Sequence, residues 1–122
     1  MSFKIGDPAG SYSIKLKQPA NTYVSGLRVY STSNYYSASV AQTNLSLGSS
    51  EGFSDIVAVG AMTQTSSPWS LPKNSVYIAS ILSGINVPIS TDKSRELYLT
   101  IAAGGPIDTN GTFKIVLICT KY

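Results

Sequence analysis

Histidine is absent from this chain of 122 residues, and cysteine occurs once, as Cys119. Without histidine, the chain lacks the commonest general base, the commonest zinc ligand and every Ser-His or Cys-His nucleophile pair. A lone cysteine forms no internal disulfide, and the alternating apolar segment around Cys119 predicts a buried structural thiol. The sequence therefore predicts no catalytic residue, no metal site and no cofactor.

Charged residues are also scarce, at 12% of the chain, about half the usual share of roughly 25%. No pair of the six carboxylates has a spacing that would aim both at one point, and the nine basic residues are scattered rather than grouped. A nucleic-acid groove needs many phosphate contacts on one face, so we expect no nucleic-acid partner. An enzyme whose carboxylates are brought together by folding is the third-ranked hypothesis.

Long apolar runs are missing as well. No segment approaches the roughly 18 apolar residues of a membrane helix, so we expect no membrane partner. The first seven residues, Met1 to Asp7, lack the apolar stretch of a signal peptide. Together with the unpaired cysteine, this predicts a protein that is made and kept in a reducing cytoplasm.

Apolar and polar residues alternate almost throughout, which is the pattern of strands with one buried face. Gly26 indicates a bulge or a close backbone approach, and the apolar segment 75–82 is predicted to lie in the middle of a sheet, covered on both faces. About eight short strands with turn signals between them predict an all-β fold, a two-sheet antiparallel sandwich that is jelly-roll-like. The predicted strands cover residues 11–17, 22–31, 35–40, 43–47, 54–59, 75–82, 86–90, 96–102 and 112–120.

Residues 11–122 are predicted to form a single β-sandwich domain, preceded by an N-terminal contact arm at residues 1–10. Exposed aromatic side chains can anchor a protein interface or stack on a sugar. For Trp69, the competing interpretation is that it caps one end of the sandwich beneath the loop at residues 68–72. The interface candidates are Phe3, Ile5, Tyr30, Tyr35, Tyr36, Trp69 and Arg95.

From Thr43 onward, the order of features resembles the small jelly-roll cement, or decoration, proteins of tailed bacteriophage capsids. Residues 44–54 and 78–88 carry part of the resemblance, and residues 95–105 and 111–118 carry its strongest part. The resemblance implies a non-enzymatic virion structural protein, made in the host cytoplasm. It further implies homotrimers that bind the major capsid protein at subunit junctions on the outside of the assembled shell and hold neighbouring subunits together.

A hypothesis from a different class is a carbohydrate-binding or receptor-binding sandwich, such as the tip of a tail fibre. Trp69, Tyr35 and Tyr36 would then form the binding platform. Binding on a glycan array that disappears in Trp69→Ala would favour this hypothesis over the cement function.

Overall fold

The computed structural model describes residues 2–3, 10–32, 35–36, 43–62, 70–71, 73–82, 90, 92–103 and 111–121. These residues form strands joined by turns and irregular segments, and no helix occurs among them. Seven strands span four residues or more, and three span two residues. The strands are β1 (Ser2–Phe3), β2 (Gly10–Gln18), β3 (Thr22–Ser31), β4 (Tyr35–Tyr36), β5 (Thr43–Gly48), β6 (Val57–Ala61), β7 (Ser70–Leu71), β8 (Val76–Ala79), β9 (Arg95–Ala103) and β10 (Gly111–Lys121).

Eight of these strands form two antiparallel sheets of four. Sheet 1 has the order β1-β10-β3-β8, and sheet 2 has the order β2-β9-β5-β6, while β4 and β7 pair separately. The chain passes back and forth between the two sheets, and its last strand lies beside its first, which is the connectivity of a jelly roll. The predicted all-β, two-sheet antiparallel sandwich is confirmed.

The core lies between the two sheets and follows from the period-two pattern. In β9, Leu97, Leu99 and Ile101 are fully buried, and they alternate with the exposed or partly exposed residues between them. Strand β3 contributes Val24 and Leu27 to the same core from the opposite sheet. Alternate side chains of one strand point to opposite faces, so a single apolar face on each sheet builds the core.

A β-bulge interrupts the pairing of β3 with β10. Ile118 pairs with Gly26 and Cys119 pairs with Val24, so Ser25 is the extra residue. The Ser25 hydroxyl donates to the Ile118 carbonyl at 3.2 Å. A Cβ atom on Gly26 would lie 3.1 Å from Cδ1 of Ile118. Of the two alternatives that Gly26 predicts, the bulge is confirmed, whereas the atoms nearest Gly26 belong to the side chain of Ile118.

The prediction that residues 75–82 lie in the middle of a sheet is wrong. Strand β8 pairs with β3 and ends the order of sheet 1 in the described part of the chain. Its residues Val76 and Ile78 are 38% and 63% exposed. A run of apolar residues also fits an edge strand that packs one face on the core and presents the other outward, and sequence pattern does not separate the two cases.

The first two described residues add an edge strand to sheet 1. Ser2 pairs with Thr112, and Phe3 pairs with Gly111. Ile5 lies outside the described residues. Whether residues 1–10 contact a partner stays a prediction.

Candidate functional site

The one cysteine behaves as a packing residue. Cys119 is partly buried against the core, and this burial raises the pKa of its thiol although a hydrogen bond with the Thr22 side chain acts to lower it. A thiol with a raised pKa is a weak nucleophile at neutral pH.

The described residues contain no group of three or more metal-binding side chains. Nor do they include a helix of the length and hydropathy needed to cross a membrane.

The outward face of sheet 1 carries large apolar side chains. Val76 and Ile78 of β8 are among its most exposed residues. Tyr30 of β3 and Val116 and Ile118 of β10 are partly exposed on the same face, since their neighbours in each strand point toward the core. We call these five residues the outer patch. Large apolar side chains exposed together on one sheet face are typical of a site that another molecule covers.

Two basic residues interrupt the outer patch. Arg28 of β3 pairs with Val116 on one side and with Ile78 on the other. Lys114 of β10 pairs with Tyr30 in the neighbouring row. Directly paired residues have Cβ atoms about 4.5–5.5 Å apart, so cationic and apolar groups share one surface. Both cations are exposed.

The outward face of sheet 2 has a different chemistry. A groove of about 360 Å³ crosses it, and we call it the sheet-2 groove. Cross-strand pairs of small residues form its floor, and Ser13 of β2 and Thr100 of β9 join their hydroxyls at 3.3 Å. The segment between β5 and β6 supplies one wall. The residues that line the groove are Ser11, Ser13, Asn44, Leu45, Ser46, Glu51, Gly52, Val59, Thr100 and Ala102.

The wall of the sheet-2 groove is held by a carboxylate. Asp55 accepts a hydrogen bond from the Ser49 backbone N–H at 2.8 Å and another from the Ser49 hydroxyl at 2.5 Å. Burial acts to raise the pKa of Asp55, but these two hydrogen bonds, its own backbone N–H and the charge of Arg95 outweigh that effect and lower the pKa below 3.8. The ionised carboxylate therefore stabilises the loop.

Close backbone packing also shapes this loop. The Phe53 N–H donates to the Ser50 carbonyl, and the Ile56 N–H donates to the Leu47 carbonyl, each at 3.0 Å. A Cβ atom on Gly48 would overlap the carbonyl oxygen of Phe53. The loop therefore lies directly on β5, and its tip places Glu51 at the groove.

A second groove, of about 340 Å³, lies at the opposite end of β2 and β9 and is mainly basic. Its lining includes Lys15, Lys17 and Arg95. The Arg95 Nε donates to the side-chain oxygen of the fully buried Gln18 at 2.8 Å. Lys15 and Glu96 form an exposed ion pair at 3.6 Å. This pair neutralises part of the local positive charge.

The structure separates the predicted interface residues that it describes. Tyr30 lies in the outer patch of sheet 1, whereas Arg95 lies at the basic groove of sheet 2. The backbones of Tyr35 and Tyr36 pair with Leu71 and Ser70. The side chains of Phe3, Tyr35 and Tyr36, and all of Ile5 and Trp69, lie outside the described part of the chain.

Sequence reasoning missed most of the outer patch. It assigned Val76 and Ile78 to a strand covered on both faces. The unbroken apolar run from Ile115 to Ile118 was a usable signal, since a strand with one solvated face would alternate. Neither Val116 nor Ile118 was singled out from that run.

Known proteins supply no further identification. Comparison finds no matching family model, no matching curated protein and no matching solved structure. Strand order alone therefore defines the class of this protein, which is a small β-sandwich with jelly-roll connectivity.

Proposed function

We propose that this chain is a non-enzymatic virion structural protein, a cement or decoration protein that binds the outside of an assembled phage shell. Its partner is the major capsid protein, and its place is at the junctions between capsid subunits. The observation that carries the proposal is the outer patch, where Ile78, a large aliphatic residue, is 63% exposed on the outward face of a sandwich. The resemblance of residues 95–105 and 111–118 to cement proteins supports it.

The physics of lattice binding fits a patch of this kind. Burial of apolar surface contributes roughly 25 cal/mol per Å², and area alone does not decide the affinity of an interface. A closed shell repeats the same site many times, and an oligomer that engages several sites at once gains avidity without new contacts. Modest burial at each site is therefore sufficient.

Charge favours the shell over a second copy of this chain as the occupant of the outer patch. Arg28 and Lys114 are both cationic and interleave with its apolar residues. Two copies that met patch to patch would bring like charges together, whereas a capsid surface with carboxylates would complement them. The proposed trimers would then associate through other surfaces, and the mass of the protein in solution measures that association.

The test is cosedimentation of the purified protein with assembled shells from the same source. We expect the unaltered protein to pellet with shells and Ile78→Asp to lose affinity by about tenfold or more, because the substitution replaces the most exposed apolar side chain of the outer patch with a charge. Ile78 is exposed in the free chain, so the variant is expected to fold.

Val59→Asp is the matched control. Val59 is also an aliphatic residue of a strand, is 64% exposed and lies on the other sheet. We expect it to pellet as the unaltered protein does. Equal binding by Ile78→Asp and Val59→Asp, or no pelleting of the unaltered protein, would overturn the proposal.

The carbohydrate-binding or receptor-binding hypothesis based on Trp69, Tyr35 and Tyr36 stays a prediction. The described residues do not include those three side chains, and a glycan array with Trp69→Ala tests it directly.

A further inference from the structure

The sheet-2 groove has a feature that an ordinary solvated sheet face lacks. Ser46 lies between the core residues Leu45 and Leu47 and points outward into the groove, yet it is only 7% exposed. It pairs with Thr100 in the centre of sheet 2. The segment from Ser49 to Ile56 follows directly and walls this part of the groove. The floor of the groove therefore includes a recessed serine.

No buried side-chain nitrogen or oxygen of the described residues lacks a hydrogen-bond partner, so the Ser46 hydroxyl is either paired or open to the groove. A hydroxyl at the surface of a groove can both donate a hydrogen bond to a ligand and accept one from it. Ser46 lines the groove, so a ligand seated there reaches this hydroxyl.

The lining of the groove selects the chemistry of the ligand. Hydroxyls of Ser13 and Thr100 both donate and accept hydrogen bonds, and the exposed Glu51 carboxylate accepts them. The described lining includes no lysine or arginine, so a phosphate or a carboxylate ligand would meet negative charge without compensation. Exposed Val59 and, across β5, partly exposed Ala102 add apolar surface beside these polar groups.

We propose that the sheet-2 groove binds a neutral saccharide. The ring hydroxyls of the sugar would pair with Ser46, Thr100 and Glu51, and its C–H face would contact Val59. The volume of about 360 Å³ lies near the lower end of the roughly 300–1,000 Å³ of small-molecule sites, which suits one or two sugar rings. This proposal does not rest on the cement function, since the outer patch lies on the other sheet.

The groove differs from the aromatic platform of the carbohydrate hypothesis. It uses none of Trp69, Tyr35 or Tyr36, and its polar contacts come from sheet 2 and the loop that leaves β5.

The experiment is a titration of the isotope-labelled chain, followed by amide chemical shifts. Glucose, galactose, mannose and N-acetylglucosamine serve as separate probes. We expect at least one probe to shift the amides of Ser13, Ser46, Gly52 and Thr100 in a saturable way. Shifts from no probe, or shifts confined to other parts of the chain, would overturn the proposal.

Two small substitutions then test the groove directly. We expect Ser46→Ala and Glu51→Gln each to weaken binding of the responding sugar by about three- to tenfold, the cost of one lost or weakened hydrogen bond. Ser46→Ala should change the midpoint of thermal unfolding little, because it removes one hydroxyl at the groove and leaves the hydrophobic core unchanged. Unchanged affinity in both variants would overturn the proposal.

The controls separate this inference from the proposed function. Ile78→Asp should bind the sugar as the unaltered chain does, and Ser46→Ala should pellet with shells as the unaltered chain does. Loss of sugar binding in Ile78→Asp would contradict the proposal that the shell binds sheet 1 and the sugar binds sheet 2. Failure of pelleting with intact sugar binding would reject the cement function alone.

Discussion

Asp55 is the side chain that most directly determines the shape of the loop beside the sheet-2 groove. It accepts two hydrogen bonds from Ser49, six residues earlier, and so closes the loop on itself. Its lowered pKa means that folding favours the ionised form. The stabilisation is therefore fully present above the ordinary carboxyl pKa of 3.8 and is lost as the pH falls through the lower folded value.

Asp55→Asn tests this account. We expect the free energy of unfolding at pH 7 to fall by about 0.5–1 kcal/mol, a modest loss because solvent screens a partly exposed carboxylate. The difference from the unaltered chain should shrink as the pH is lowered through the folded pKa of Asp55. Urea unfolding between neutral and strongly acidic pH measures both quantities.

Asp92→Asn is the control for this substitution, since Asp92 is an exposed carboxylate outside the loop. It should leave the free energy of unfolding nearly unchanged at pH 7. A difference between Asp55→Asn and the unaltered chain that stays constant at every pH would contradict the electrostatic role of Asp55.

Sequence alone could not predict these residue-level contacts. Asp55 and Ser49 meet because the loop turns back on β5, and Arg95 meets Gln18 across 77 residues of chain. Ser46 appears in the sequence as an ordinary solvent-facing residue of an alternating strand. The fold of the adjoining loop, rather than any local pattern, accounts for its burial.

At the scale of elements, the β5–β6 connection depends on a glycine. The carbonyl oxygen of Phe53 occupies the space where a side chain at Gly48 would begin. The neighbouring element is a backbone segment, which cannot rotate away as a flexible side chain can. Gly48 therefore permits the close approach of loop and strand that builds the wall of the sheet-2 groove.

Gly48→Ala should destabilise the fold by about 1–3 kcal/mol, the usual cost of overpacking a close contact. Urea unfolding measures the effect. The loss should be accompanied by changed amide shifts in residues 49–56, since the loop must move away from β5.

Gly60→Ala is the matched control, in the strand that pairs with β5. A Cβ atom at Gly60 would lie 3.5 Å from the hydroxyl of Tyr77, which is an ordinary contact distance. We expect Gly60→Ala to be close to neutral. If Gly48→Ala and Gly60→Ala are equally stable, the close packing of the loop on β5 does not require a glycine at residue 48.

Strand identity was predictable where one face is apolar and the other polar. The alternation of Leu97, Leu99 and Ile101 predicts both β9 and its buried face, and the structure confirms both. The burial of strand β8 was predicted wrongly because its residues Val76 and Ile78 are apolar although they lie on the outward face. Their position follows from strand order, which depends on pairing between distant segments and leaves no local signal.

At the scale of the whole molecule, the two outward faces of the sandwich differ in chemistry. Sheet 1 presents apolar side chains interleaved with Arg28 and Lys114, whereas sheet 2 presents a groove lined with hydroxyls and the Glu51 carboxylate. A two-layer fold keeps these faces on opposite sides. On our account, the chain docks on a shell through sheet 1 and leaves sheet 2 open to solvent.

The sandwich class was predictable from period-two alternation and turn signals, because these fix many short strands with one buried face. The outer patch and the sheet-2 groove were not predictable, since the first combines residues of three strands and the second those of four strands and a loop, and the sequence does not reveal the strand order. Within the outer patch, the sequence predicts only Tyr30 as an interface residue, because of its aromatic ring.

The most direct test of the proposed function is an electron cryomicroscopy reconstruction of shells incubated with the purified protein. The account predicts added density on the outer surface at junctions between capsid subunits, with the outer patch against the shell and the sheet-2 groove facing outward. Shells without added density, or density in which sheet 2 meets the capsid protein, would contradict it.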